Sequence, residues 1–153
     1  MGGGKPLIKE KQMQVKIKKL REDAITPTYA TDGSACYDLY STIDCTVRSE
    51  ARMHPVIDTG IAFEVPEGHV MLVYSRSGHG FKNGVTLANN VGVIDADFRD
   101  SVKVKLVGEH LEVKKGNRIA QAMIVPYPKV EFVEVDELSE TERGTGGIGS
   151  TGN

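Results

Sequence analysis

The amino-acid sequence predicts an all-β domain, a sandwich or barrel, trailed by a flexible glycine-rich C-terminal arm. Three observations predict it. Apolar residues recur in short runs that partly alternate with polar ones, turn-forming residues separate the runs, and no window long enough for a three-turn helix keeps a 3.6-residue period. In order, strands are expected at 15–17, 56–65, 69–74, 102–106, 119–125 and 130–135, with turns at Pro66-Glu67-Gly68 and Lys115-Gly116-Asn117. One turn of helix is expected near 77–83. In the first strand, Val15 and Ile17 should face inward and Lys16 and Lys18 water, as period-2 alternation requires. The arm announces itself by composition, since five of the last eleven residues are glycine. The expected organisation is a loose N-terminus at 1–12, a β-domain at 13–136 and the arm at 137–153.

Length and charge exclude several classes. A chain of 153 residues buries about 70% of its unfolded surface, enough for one hydrophobic core without staples. Cys36 and Cys45 are too few for a disulfide framework or a four-ligand zinc site, so a reducing compartment is expected. No charged-then-apolar leader stands at the start, and the run 70-VMLVY-74 is far short of the ~20 residues of a membrane span. MGGGKP opens like a myristoylation signal, but Pro6 stands where Ser or Thr is needed. These points predict a soluble cytoplasmic protein with no membrane partner, the nucleus remaining open. The first 21 residues carry a charge of +6, leaving -8 on the remainder. Without aromatics interleaved with arginines, that segment reads as a solvated strand, and no direct nucleic-acid partner is expected.

Generic catalytic motifs are absent. There is no phosphate loop of the GxxxxGK[ST] type, and His54, His69, His79 and His110 show no paired-ligand spacing, so each reads as an ordinary surface or core histidine. Gly144, Gly146 and Gly149 satisfy GxGxxG, yet only four residues follow, too few for the helix that a dinucleotide site requires. What remains is a series of polar and glycine clusters that packing alone does not explain: 35-ACYDLY-40, 75-SRSG-78, 89-NNVGVIDADFRD-100, 115-KGNRIAQ-121 and 143-RGTGGIGSTG-152.

In this order and at these separations, the clusters resemble the five-motif signature of the trimeric deoxyuridine triphosphate nucleotidohydrolases, the dUTPases. The resemblance runs from Ala35 to Gly152. It implies a β-barrel or jelly-roll subunit, β-clip-like, in a homotrimer whose active sites are shared between chains and closed by the arm. It also implies hydrolysis of dUTP at the α-phosphorus to dUMP and pyrophosphate, which keeps uracil out of DNA and supplies dUMP for thymidylate synthesis. The implied cofactor is Mg²⁺, held mainly by substrate phosphates and water, as suits a hard cation that keeps its hydration.

Residue by residue, Asp95 matches the carboxylate that activates the attacking water, which needs a base within hydrogen-bond reach. Asn89, Gly92, Val93 and Ile94 match the hairpin that reads uracil through its backbone, Gly92 because a side chain would stand between backbone and base. Arg76, Ser77 and Gly78 match the phosphate element, with Ser77 nearest the bridging α–β oxygen and Arg76 stabilising charge that moves toward pyrophosphate. Gln121 matches a phosphate donor and Lys103 a substrate contact. Asp38 matches a carboxylate that supports the metal through water. Asp38 and Arg118 also suit a structural ion pair, which leaves the role of Arg118 open. Arg143, Gly149, Ser150 and Thr151 match the γ-phosphate clamp of the arm.

The sequence departs from the pattern at three places. Phe98 replaces the usual tyrosine and keeps an aromatic face for the deoxyribose. Ile148 replaces the phenylalanine that stacks on uracil, a contact worth ~1–3 kcal/mol. Asp100 replaces a common glycine. Two other functions are weighed against hydrolysis of dUTP. A dCTP deaminase on the same fold needs a glutamate where Lys105 stands. A nucleotide-sensing regulator without catalysis has no need of Asp95, Arg76 and Arg143 together.

Overall fold

The computed structural model describes residues 12–152. The loose N-terminus expected at 1–12 therefore lies, apart from Gln12, outside the described residues. Eleven strands and one short helix follow in order: β1 (Lys16–Lys19), β2 (Thr28–Tyr29), β3 (Tyr37–Tyr40), β4 (Cys45–Arg48), β5 (Val56–Glu64), β6 (His69–Tyr74), α1 (Ser77–Asn83), β7 (Val85–Leu87), β8 (Gly92–Ile94), β9 (Ser101–Gly108), β10 (His110–Val113) and β11 (Arg118–Pro126). The pairings are antiparallel throughout. They build a four-stranded sheet ordered β1-β5-β9-β7, a five-stranded sheet ordered β2-β3-β11-β6-β8, and the β10-β4 ribbon. Among the described residues no helix is long and apolar enough to cross a membrane.

The core lies between the sheets. Alternating positions supply it: Ile57 and Ile61 from β5, Met71 and Val73 from β6, Val102, Val104 and Leu106 from β9, and Ile119, Ala120 and Ala122 from β11, all buried. Outward neighbours such as Lys103 and Lys105 stay exposed, as period 2 demands. β5 departs from the rule, with Thr59 to Phe63 buried in a row, because its register against β9 shifts between Asp58 and Ala62. The irregularity turns on Gly60, with φ +68°, where a Cβ would stand 2.9 Å from the Cβ of Ala24. Buried Thr59 compensates by donating its hydroxyl to the Val102 carbonyl at 2.7 Å.

Two expectations fail here. β1 is exposed along its whole length, Ile17 included, because it lies at a sheet edge and pairs only with β5, whereas Val15 just before it packs on the core and Lys16 and Lys18 face water as expected. The strand expected at 130–135 does not form. Beyond Tyr127, whose amide bonds to the Gly68 carbonyl at 3.0 Å, the segment 128–138 makes no backbone hydrogen bond to the described residues and leaves Phe132 93% and Leu138 87% exposed, with Val130, Val133 and Val135 also open. The alternation of Val130, Phe132 and Glu131 suits a strand, but β11, which it follows, already has β3 and β6 on its two sides.

Candidate active site

The central strands of the five-stranded sheet set one functional row. Register places Thr28, Asp38, Gln121 and Tyr74 side by side across β2, β3, β11 and β6. Asp38, only 8% exposed, ends between two guanidinium groups, with its oxygens 3.7 Å from Arg76 Nε and 3.7 Å from Arg118 Nη1. Asp38 and Arg118 thus do form the ion pair that the sequence allowed, and Arg76 joins it from the other side. A buried carboxylate of this kind is tolerated because it is paired.

Arg76 precedes α1 in extended conformation, φ −90° and ψ 132°, which delivers Ser77 and Gly78 as the first helical residues. Its Nη1 donates to the Arg118 carbonyl at 3.4 Å and lies 3.4 Å from His79 Nε2. Burial, and then the charges of Arg76 and Arg118, hold the His79 imidazole below its ordinary value. Gln121 spends one N–H on the Ser75 carbonyl at 2.9 Å, while the Ser75 hydroxyl accepts the Leu87 amide at 2.9 Å. Arg76, Ser77, Asp38, Arg118 and Gln121 line a cleft of about 300 Å³ together with Cys36. An added Cβ on Gly78 would meet nothing within 4 Å, so that glycine leaves open space beside the cleft.

The turn between β7 and β8, which crosses from the four-stranded to the five-stranded sheet, forms a second cluster. Val91 donates its amide to the Asn89 carbonyl at 2.7 Å and Asn90 adopts φ +61°, which turns the chain back toward β6. Gly92 is buried in β8. A Cβ there would stand 3.0 Å from the Cβ of Val73 and 3.8 Å from Asn89 Nδ2, so packing on β6 by itself calls for glycine. Val93 faces outward at 60% exposure. Asp95 follows the strand, exposed, with no hydrogen-bond partner for its carboxylate among the described residues. The Phe98 amide closes a turn on the Asp95 carbonyl at 3.2 Å. Lys103 does not line the Arg76 cleft; its ammonium lies 3.3 Å from Asp100 and 3.2 Å from the Ser101 hydroxyl.

The two clusters are far apart in one chain. Asp95 lies three strands across and four residues along from Asp38, roughly 14 Å by 13 Å at the usual sheet spacings. The third cluster, the arm, touches neither. Arg143 Nε donates to the Gly146 carbonyl at 2.9 Å, the Ser150 amide bonds to the Gly147 carbonyl at 3.1 Å, and Gly149 takes φ +78°. Ile148, Ser150 and Thr151 are exposed, and all hydrogen bonds of 143–152 stay within 141–152.

No group of three or more His, Cys, Asp or Glu side chains among the described residues could hold a metal ion by itself. The Asp38 carboxylate fits a supporting role toward Mg²⁺. At 3.7 Å its two ion pairs are too long for hydrogen bonds, so its oxygens retain lone pairs for water, and a hard cation prefers water and phosphate oxygens.

The fold and these clusters define a class first: a jelly-roll β-protein with a strand-borne cleft lined by Arg76, Arg118 and Asp38. The chain belongs to the dUTPase family, whose sequence model matches residues 22–152. It is 46% identical over 143 residues to the deoxyuridine 5'-triphosphate nucleotidohydrolase of Nautilia profundicola, covering 92% of this chain and 99% of that one. A relative of the same name from Hydrogenobaculum sp. is 47% identical over 144 residues, with 92% and 99% covered. Among solved structures, the chain is similar to the Staphylococcus bacteriophage 80alpha dUTPase with dUPNHPP, with TM-score 0.82 and 27% identity over 93% of this chain and 100% of that one.

Proposed function

We propose that the protein hydrolyses dUTP to dUMP and pyrophosphate, with Asp95 activating the water that attacks the α-phosphorus. The observation that carries this reading is the buried Asp38 between Arg76 and Arg118, facing Ser77, in a chain of the dUTPase family. Two guanidiniums against one carboxylate leave a net positive cleft for a triphosphate, and the Arg76 fork can follow charge as it moves onto the leaving pyrophosphate. The Ser77 hydroxyl and the open backbone at Gly78 add neutral donors at the α–β bridge, and the second N–H of Gln121 adds another. Mg²⁺, when bound with the substrate, neutralises phosphate charge, and Asp38 would orient water around it.

Uracil would be read by the backbone of Gly92, Val93 and Ile94 with the Asn89 turn beside them, and Phe98 would pack on the deoxyribose. Lys103 would meet the substrate through this same hairpin. The free Asp95 carboxylate suits a base that must meet a water molecule.

The protein acts as a homotrimer in this reading. Two features support that: the roughly 19 Å diagonal between Asp38 and Asp95 of one chain, which is too long for both to serve one α-phosphorus, and the exposed apolar segment 128–138, without backbone pairing among the described residues. The arm at 137–153 would then close a site built from other chains, Arg143, Gly149, Ser150 and Thr151 gripping the γ-phosphate and Ile148 covering the base.

Incubation with dUTP, dCTP or dTTP plus Mg²⁺ tests the proposal. Pyrophosphate from dUTP alone is the expected result. Ammonia from dCTP would mean a deaminase, against which Lys105, an exposed lysine on β9, already argues. Binding without turnover would mean the nucleotide-sensing regulator.

A further inference from the structure

The loop that carries Asp95 and Phe98 is fastened by a residue with no role so far. Arg99 Nη1 donates to the Ala96 carbonyl at 2.6 Å and to the Phe98 carbonyl at 3.1 Å. Its Nη2 lies 3.7 Å from Glu64 Oε1, at the end of β5, and the other oxygen of Glu64 lies 3.4 Å from Lys16 Nζ on β1. Lys16, Glu64, Ala96 and Arg99 line a cleft of about 460 Å³ with Pro66 and Asp97, and this cleft shares no lining residue with the Arg76 cleft.

We infer that Arg99, anchored by Glu64, is a positioning residue that fixes the Asp95–Phe98 turn and with it the direction of the Asp95 carboxylate. The turn has only one backbone bond of its own, Phe98 amide to Asp95 carbonyl at 3.2 Å. One bond leaves the carbonyls of Ala96 and Phe98 free to rotate toward water. Nη1 of the guanidinium takes both at once, so the 96–97 and 98–99 peptide planes cannot swing independently. Glu64 then ties that fork to β5, a strand whose core residues are fully buried, so the loop borrows rigidity from the other sheet. As an exposed ion pair the Arg99–Glu64 contact adds little to global stability; its effect is local, on orientation. Lysine cannot replace Arg99, because a single ammonium does not span two carbonyls and a carboxylate in one plane.

The inference rests on Asp95 being the base, and two measurements keep the claims apart. Arg99→Ala, Arg99→Lys and Glu64→Gln are compared with the unaltered protein by dUTP kinetics and by backbone amide hydrogen exchange. A misplaced base lowers kcat by about tenfold to a hundredfold. That loss is expected for Arg99→Ala and Arg99→Lys, with KM changed far less and the thermal midpoint nearly unchanged. A smaller kcat loss is expected for Glu64→Gln. The Glu64→Gln/Arg99→Ala double variant should be no worse than Arg99→Ala, since Glu64 acts through Arg99. Exchange at the Phe98 amide should quicken while the amides of β9 keep their protection. Full kcat in Arg99→Ala, or full rescue by lysine, overturns the inference. So does a kcat loss that merely follows the unfolded fraction. If the unaltered protein does not cleave dUTP, the proposed function fails, and the exchange at Phe98 alone decides whether Arg99 fixes the turn.

Discussion

The corner around Asp38 and the arm from Arg143 to Gly152 are both rich in groups that suit phosphate, yet they differ in what holds them. In the corner, ladder register fixes each backbone and ion pairs fix the side chains, so the cleft exists in a single chain without ligand. In the arm, every hydrogen bond is local and Ile148 is fully exposed. The corner is organised before substrate arrives, whereas the arm must lose conformational freedom on closing, and that cost comes out of substrate affinity. In the proposed reaction, one region would limit the chemistry and the other the capture and release of substrate.

Changes to strand-borne site residues should therefore act on turnover. Asp95→Asn removes the base and should lower kcat by roughly 10² to 10⁴ while binding of an uncleaved dUTP analogue persists. Pyrophosphate release at the unaltered rate would show that another group activates water. Deleting residues 143–152 should cost roughly a hundredfold in kcat/KM through lost positioning, with no change in thermal midpoint because the arm packs on nothing. A drop in the midpoint would mean that the arm is already docked.

The next effects are smaller. Gly92→Ala forces a Cβ against Val73 and should destabilise the fold by about 1–3 kcal/mol, read by urea denaturation. Ile148→Phe supplies a stacking face and should lower KM for dUTP by about tenfold or slow product release. Unchanged kinetics and analogue affinity would remove Ile148 from the closed arm. The smallest effect concerns pH. The depressed His79 binds its proton less readily in the folded chain than in the unfolded one, by burial and by Arg76 and Arg118. As pH falls through the ordinary histidine value of about 6.5, the unfolded state gains protons first, so stability is complete above that value and declines below it. His79→Gln should flatten that decline in thermal scans between about pH 7.5 and 5.

The same contrast governs what could be read from the sequence. β5, β6, β9 and β11 are legible because each runs long enough to show its apolar pattern. β2, β3, β4, β7, β8 and β10 are two to four residues long, too short for a period to emerge, and β3 and β8 are hidden inside polar motifs. The segment 130–135 has a strand pattern but no strand, because pairing depends on a neighbour, and β11, which it follows, already has β3 and β6 on its two sides. In the site, the motif order points to Asp38, Arg76 and Asp95, and an Asp38–Arg118 pair is one of two readings that the sequence leaves open. The part of Arg76 in that pair is not legible, since only register reveals that β3 and the end of β6 flank β11. His79 read as an ordinary histidine; its place three residues after Arg76 at a helix start was the one available signal. Glu64 and Arg99 were silent because 35 positions separate them in the chain.

Asp38 has a further consequence for how fast the protein meets its ligand. One carboxylate shared by Arg76 and Arg118 leaves an uncompensated positive charge in a walled recess. Low-dielectric walls focus such a field outward, so a multiply charged anion is drawn in from beyond contact distance. The Debye length shrinks from about 30 Å at 0.01 M salt to about 8 Å at 0.15 M. Ionic strength should therefore slow encounter, while a step inside the closed, desolvated site remains largely indifferent to it.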